Sequence, residues 1–539
     1  MRPHLLLALL CLAGCSEDAA ATPPSDVGAD GDTLADVTPT VDWTIEIDPS
    51  ATGPTVSRYL LGQYDLSGAL YDFAKVEGLP TQMKQAGFSE WRVGVGRWEL
   101  GTQLLPTLTD GTACPSIFPK ASLAPDGSTD LSLVAGRDWF TDDGKPVTLA
   151  MTADDARYAL GYARSAIDQA TAFGVEPWVD VDLMPRALAK NRTPSRTTSV
   201  VPDACMATFT NAISNAAPAD STVFAAAVVG LVRRLVEGSG TEKGRPVTRV
   251  EIWNEPEYPY FWDKTHEPKG NLDEWVKMAA ITLVGLADYR SKATAPAAKA
   301  LKFGFGSFAV GDTAVALIGA FDKTALPDGS FLPFDFVSFH AYDNDPLVVA
   351  GKVDEVSAAR RASTHYQNVE LALAEWGLSL DGKGWDPATM DVPLHTATVL
   401  ALAATAGIEH AHRAIFYDYY VGIPFGIVGN DRKPKPGFHA YTLLAQVVGG
   451  ARVPVKNAAS GRLDGGLGVV LVTKDASGKV RALIVNRATS ARNVELSVGG
   501  AVVTASALSV FDTPSAAPSA RDVARTLRLP PRSIALVSL

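Results

Sequence analysis

The chain has 539 residues, with 59 acidic against 48 basic side chains and a formal net charge of −11. No long basic run is present, which argues against a nucleic acid as partner. At 47% hydrophobic and 20% charged, the composition is that of a globular protein long enough for one large domain and a smaller one.

Met1-Arg2 is a short basic start, and Leu5 to Leu12 is an apolar run too short to span a bilayer as a helix, which is the pattern of a signal peptide. It closes on Leu12-Ala13-Gly14-Cys15, which resembles a bacterial lipobox. That resemblance implies cleavage before Cys15 and a lipid on its sulfur as the only membrane attachment, since no later segment is apolar enough to span a bilayer. The alternative is ordinary signal cleavage with Cys15 incidental. Ser16 follows, not the Asp that signals inner-membrane retention, so an exported lipoprotein of the outer membrane, cell surface or periplasm is expected. Residues 16–41 are rich in Ala, Asp, Pro, Thr and Gly. Such a tract buries too little surface to offset its ordering entropy, and reads as a flexible tether.

The fold is expected to start near Trp43. The strand "WTIEID" falls within 42–59, a barrel within 60–448 and a small β-domain within 449–539. The first barrel strand candidate is "YLLGQYDL". A short helix then ends at Gly87, and a strand runs to about Gly96. Thr152 can cap a second helix that Gly174 ends, before the strand Glu176 to Leu183. Asp220 can cap a helix to about Glu237, ahead of "VTRVEIW". Asn271, with Glu274 three residues on, is close to a capping box. The strands "LKFGFGSF", "FDFVSFHAY", "VELALAEWG" and "RAIFYDYY" follow, with helical stretches between them. Eight strands alternating with helices imply parallel pairing and an α/β fold, a closed (β/α)8 TIM barrel; an open doubly wound sheet is the alternative. From about residue 450, short β-rich runs spaced by Gly, Ser, Asp and Pro predict a small antiparallel β-sandwich, which the early strand 43–48 can join. Cys114 and Cys205 sit in loop-like sequence. In an exported protein they can form a disulfide, or remain two buried thiols.

The polar residues fall at the strand ends, where such a barrel carries its chemistry. "RVEIWNEPEYPYFW" leaves a strand with Asn254 and Glu255, and "VELALAEWG" ends in Glu375-Trp376. Two carboxylates across one barrel mouth fit the paired acids of glycoside hydrolysis, about 5–5.5 Å apart in retaining and about 6.5–9.5 Å apart in inverting enzymes. Arg92 lies on the second strand, and His340 and Tyr342 point one way on the sixth. A nearby Arg or Tyr hydroxyl would keep a nucleophilic carboxylate ionised. Tyr258, Trp262 and, from the opposite side, Trp376 could stack on a sugar. On the third strand Asp180 or Asp182 could bind a sugar hydroxyl, or serve structural hydrogen bonds. His410 and His412, two apart, have the wrong spacing for a zinc site. The segment "GFGS" at 304–307 lacks the flanking spacing of a phosphate loop, and no Ser- or Cys-based nucleophile constellation stands out.

The segments "IWNEP" at 252–256 and "LAEWG" at 373–377 resemble clan A glycoside hydrolases. Together with "DFVSFHAYDN" and "FGIVGNDRKPKPGFHAYTLLAQVVGG" they resemble glycoside hydrolase family 39, which includes β-xylosidases and α-L-iduronidases. The resemblance covers roughly 60–450 and implies Glu255 as acid/base, Glu375 as nucleophile and Asn254 as the amide on the sugar 2-hydroxyl. It departs at the eighth strand, where "IFYDYY" puts Phe416 or Tyr417 at the place of the family's usual Trp. The expectation is a retaining glycosidase acting on an oligosaccharide or glycoside with no metal or organic cofactor. A related clan A enzyme, endo-acting, and a non-catalytic carbohydrate-binding lipoprotein are the alternatives.

Overall fold

The computed structural model describes residues 40–65, 78–95, 135–140, 146–150, 161–182, 184–185, 190, 213–214, 216–239, 242–258, 261–262, 272–379, 382–418, 425–429 and 431–539. Cys15, Cys114, Cys205, Thr152 and Asn271 are not among them, so the lipobox, the disulfide and those two caps lie outside the described residues.

Eight strands pair in parallel: β1 (Gly62–Asp65), β2 (Glu90–Val95), β3 (Glu176–Val181), β4 (Arg249–Ile252), β5 (Lys302–Phe308), β6 (Phe336–Tyr342), β7 (Glu370–Gly377) and β8 (His410–Ala414). Each bonds its neighbours in sequence, and β8 returns to β1, so the sheet is a closed barrel and not an open one. Around it lie α1 (Leu79–Gln85), α2 (Gly161–Ala172), α3 (Ser221–Glu237), α4 (Asp273–Lys292), α5 (Gly311–Phe321), α6 (Pro346–Ala362), α7 (Asp391–Ala406) and α8 (Pro436–Leu444). The Asp220 side chain caps α3 by accepting from the amides of Thr222 (2.7 Å) and Val223 (3.3 Å). Gly174, at φ +74°, follows α2 in the left-handed conformation that ends a helix cheaply only with glycine. The capping residue of α4 is Leu272, which makes no side-chain cap bond.

Two-residue alternation sorts these strands into an apolar outside and a polar inside. On β2, Trp91 and Val93 join the core beneath the helices, while Glu90 and Arg92 point into the barrel. Val250 and Ile252 of β4 likewise face out, and Arg249 and Glu251 face in. On β8, Ala411 faces out, and His410 and His412 face in. Charges this deep must be paired to be tolerated, and they form two networks along the barrel axis. In the lower one Glu90 receives His410 at 2.7 Å, His412 at 2.8 Å and Arg249 at 3.3 Å, while Glu370 binds Arg249 and Lys302. Trp178 packs on Phe336 and edge-on to both histidines, forming an apolar floor. The upper network is the candidate site.

A sandwich covers one side of the barrel. One sheet comprises Trp43–Ile47, Arg492–Val498, Ala501–Val503 and Thr526–Leu529, with the N-terminal strand running parallel to Arg492–Val498. The other is built around Gly468–Lys474, Val480–Asn486, Ser533–Ser538 and Ala507–Phe511. In the second sheet Val470, Val472, Ile484 and Val537 face the sandwich core, and Val469, Leu471, Val485 and Leu536 join the barrel's core. These strands are therefore buried on both faces, which is why they read as continuous apolar runs. Arg462–Asp354 (2.7 Å) and Arg487–Asp345 (3.0 Å) tie the sandwich to α6 and its cap.

Candidate active site

The chain leaves β4 through two residues with left-handed backbone, Trp253 (φ 78°) and Glu255 (φ 41°). Such conformations cost a non-glycine residue about 1–3 kcal/mol and persist only where neighbours hold them. Here the Trp253 amide bonds Val181 O of β3 at 2.9 Å, and the Glu255 amide bonds Ser307 O of β5 at 2.8 Å. The twist drops the Glu255 side chain toward the barrel axis, where β7 delivers Glu375. One oxygen of each carboxylate and a ring nitrogen of His340 lie within 4.8 Å of one another. The two acids thus come from distant strands to one point.

Arg92 organises the site. Its guanidinium is fully buried and donates to Glu251 Oε2 (2.5 Å), Glu375 Oε1 (3.0 Å), Asp180 Oδ2 (2.7 Å), Asn254 Oδ1 (3.1 Å) and Ser307 Oγ (2.5 Å). The Tyr64 ring lies 4.5 Å from it. Because Arg only donates, the Asn254 oxygen must face it, which leaves the Asn254 NH2 as a donor for another group. The Tyr342 hydroxyl donates to Glu375 Oε2 at 2.9 Å. His340 Nδ1 sits 2.7 Å from Glu255 Oε1, and its Nε2 is 3.7 Å from Glu375 Oε1.

The two acids differ in surroundings. Burial pushes the Glu255 carboxyl well above the usual carboxylate range, and the charges of Glu375 and Glu257 push the same way against Arg92. Burial also raises Glu375, to about 7, while Arg92 and the Tyr342 hydroxyl pull it back. Glu255 therefore holds its proton more tightly than Glu375 does, so the two carboxyls are suited to different protonation states. Burial, with the Arg92 charge, keeps His340 well below its ordinary value and neutral. Glu255 Oε2 is buried without a hydrogen-bond partner among the described residues, and so is His340 Nε2. These two atoms are open to a water or a ligand atom. The same three side chains could offer donors to a cation, but Arg92 already places a fixed positive charge against Glu375.

Asn254, Glu255, Glu375, Arg92, His340, Tyr342 and Asp180 are thus brought together. Tyr258 is 37% exposed, close enough that the Glu255 charge acts on its hydroxyl. Trp376 and Trp262 are not available as stacking surfaces. Alternation turns Trp376 out of the mouth, where it stacks on His395 of α7 and lies under Arg413; Trp262 packs edge-on to Trp253, and both Trp376 and Trp262 have no exposed surface. Past β8, Phe416 is buried edge-on against Phe88, and Tyr417 is half-buried beside the main core. His410 and His412 are engaged with Glu90 in the lower network.

Three participants escape a reading of motifs: Glu251, Ser307 and Ser338. The Ser338 hydroxyl donates to Glu251 and accepts from the Ser307 amide at 2.8 Å. Their signal is polar residues at alternate positions of apolar strands. "GFGS" belongs here too. Gly306 passes so close to β6 that a Cβ would lie 2.2 Å from Ser338 O, which lets Ser307 reach Arg92.

The fold defined by these strands is the (β/α)8 barrel with an appended β-sandwich. No protein-family model matches the chain, and no curated protein matches its sequence. Solved structures do match. A glucosidase from Croceicoccus marinus aligns over 92% of this chain and 98% of its own, with 14% identity and a TM-score of 0.56. A GH39 enzyme from Xanthomonas axonopodis pv. citri aligns over 92% and 96%, with 16% identity and a TM-score of 0.53. A GH51 arabinofuranosidase from the same organism aligns over 93% and 100%, with 12% identity and a TM-score of 0.58. At these identities the likeness is one of fold, extending across barrel and sandwich together.

Proposed function

We propose that the chain is a retaining glycoside hydrolase, β-xylosidase-like and akin to glycoside hydrolase family 39, acting on a plant or bacterial oligosaccharide or glycoside. The observation that carries the reading is the approach of Glu255 and Glu375 to within 4.8 Å, with Glu255 the better proton holder and its Oε2 unpartnered. The fold shared with a glucosidase, a GH39 enzyme and an arabinofuranosidase supports it. Residues 1–15 support export as a lipoprotein anchored through Cys15, with 16–41 as tether.

In the first step Glu375 attacks the anomeric carbon, and the bond to the leaving oxygen breaks as Glu255 Oε2 gives that oxygen its proton. Arg92 and Tyr342 hold Glu375 ionised and aimed, each on a different oxygen. Neutral His340 fixes Glu255 Oε1, leaving Oε2 to face the leaving group. Asn254, turned by Arg92, offers its NH2 to a sugar hydroxyl. In the second step Glu255, now a carboxylate, takes a proton from water, whose oxygen displaces Glu375 and frees the sugar.

A panel of aryl glycosides tests the reading. The wild-type protein is expected to release aglycone from at least one. Glu375→Ala should abolish that release, and azide should restore it only as a glycosyl azide of inverted configuration. Binding of sugars with no release of any aglycone would instead identify a carbohydrate-binding protein, and product analysis on a defined oligosaccharide separates exo from endo action.

A further inference from the structure

We propose that Trp385 is the ring on which the sugar joined to Glu375 stacks; this rests on the reading of Glu375 as nucleophile. Trp385 lies on the segment between β7 and α7 and is half-buried. Its Nε1 donates to Ser379 O at 3.1 Å, and its ring tilts at 38° against Phe425, 5.5 Å away. Asn344, two residues beyond Tyr342, pins the same segment by accepting from the Ser379 amide (3.0 Å) and donating to Lys383 O (2.7 Å). The indole is therefore oriented in advance, with its one polar atom occupied and part of its apolar surface open.

Its neighbours lead directly to the nucleophile. Trp385 and Tyr342 pack on one small apolar cluster made of Tyr64, Ala414, Ile415 and Phe425. This cluster is separate from the main core and stands at the mouth formed by β1, β6 and β8. The Tyr342 hydroxyl touches Glu375 Oε2, and the Tyr64 ring lies beside Arg92, which touches Glu375 Oε1. By contrast Trp253, Trp262 and Trp376, the tryptophans adjoining the two acids in sequence, have no exposed surface. The nucleophile lies on the side of the sugar that stays bound, and the acid, with exposed Tyr258, lies on the side of the leaving group. Trp385 thus belongs to the retained sugar and acts in both half-reactions. An aromatic face suits a ring whose hydroxyls are equatorial and whose C–H bonds form an apolar face, as in xylose or glucose.

The test uses full-length protein, Trp385→Ala and Trp385→Phe, and 4-nitrophenyl and 2,4-dinitrophenyl xylosides and glucosides. The good dinitrophenyl leaving group speeds the first step, so the second step is expected to limit turnover on those substrates. Trp385→Ala should lower kcat there, and kcat/KM on the nitrophenyl substrates, by about tenfold. Trp385→Phe should recover most of both, and thermal unfolding should show all three proteins folded. If Trp385→Ala stays within twofold of wild type while Glu375→Ala is inactive, the stacking role is overturned and the nucleophile stands. If the wild-type protein cleaves none of these and no other member of the aryl glycoside panel while free sugars still bind, the glycosidase reading itself falls, and the role of Trp385 with it.

Discussion

Replacing Tyr342 by Phe removes one oxygen and isolates what holds Glu375 ionised. The ring remains to pack on the cluster of Tyr64, Ala414, Ile415 and Phe425, so folding should survive. The lost contact is a 2.9 Å donation from a hydroxyl to a buried carboxylate. Hydrogen bonds to charged groups contribute about 1.5–3 kcal/mol, and one pKa unit corresponds to about 1.4 kcal/mol. Glu375, at about 7 with this donor in place, should therefore rise by about 1–2 pH units in the variant. In the proposed mechanism Glu375 attacks only when ionised, so activity is lost as pH falls through its pKa, and a higher pKa moves that acidic limb to higher pH. The assay is kcat/KM for an activated aryl glycoside across pH, with wild type and variant side by side. An acidic limb that stays in place, or moves to lower pH, would refute the assignment of Tyr342 as the donor that keeps Glu375 charged.

Glu255→Gln should lose about 10²–10⁴-fold on substrates with poor leaving groups, and far less in the first step on dinitrophenyl substrates; its pH profile should also lack the basic limb, because the group whose ionisation sets it is gone. Glu90→Ala should destabilise the barrel by about 3 kcal/mol, since it takes from His410 and Arg249 the fully buried one of their two carboxylate partners and leaves them only Glu370, which denaturant unfolding measures. Burial pushes Glu90 up, but His410 and His412 outweigh it and hold the carboxyl well below its usual range, whereas His410 is raised by Glu90 and Glu370 against burial. The depressed acid stabilises above about pH 4.3 and the raised histidine below about pH 6.5. The gap between wild type and Glu90→Ala should thus be widest in that window and narrow on either side.

Strand and helix order were legible because glycine and capping residues punctuate this chain. Asp220 and Gly174 do locally what the sequence suggests, and the sandwich strands, buried on both faces, leave continuous apolar runs. The two acids were legible because each sits beside a Trp at a strand end, in "WNEP" and "EWG". Which aromatics face the mouth was not. Glu375 and Trp376 are adjacent, so one must turn in and the other out, and only the closed barrel decides which. The networks inside the barrel were hidden for a related reason. His410 and His412 lie 320 and 322 positions along the chain from Glu90, and Glu251 reads as one more polar residue until β2 brings Arg92 against it. Trp385 was hidden in a loop whose course depends on Asn344.

Direct attack on a sugar requires Glu255 and Glu375 to lie close together, with no water held between Glu375 and the anomeric carbon. Proton NMR of the first sugar released from a cleaved glycoside, recorded before mutarotation, tests this most directly. The product should appear first with the anomeric configuration of the substrate. A first product of opposite configuration would contradict the double displacement, because the carboxylate would then be activating water and not bonding to carbon.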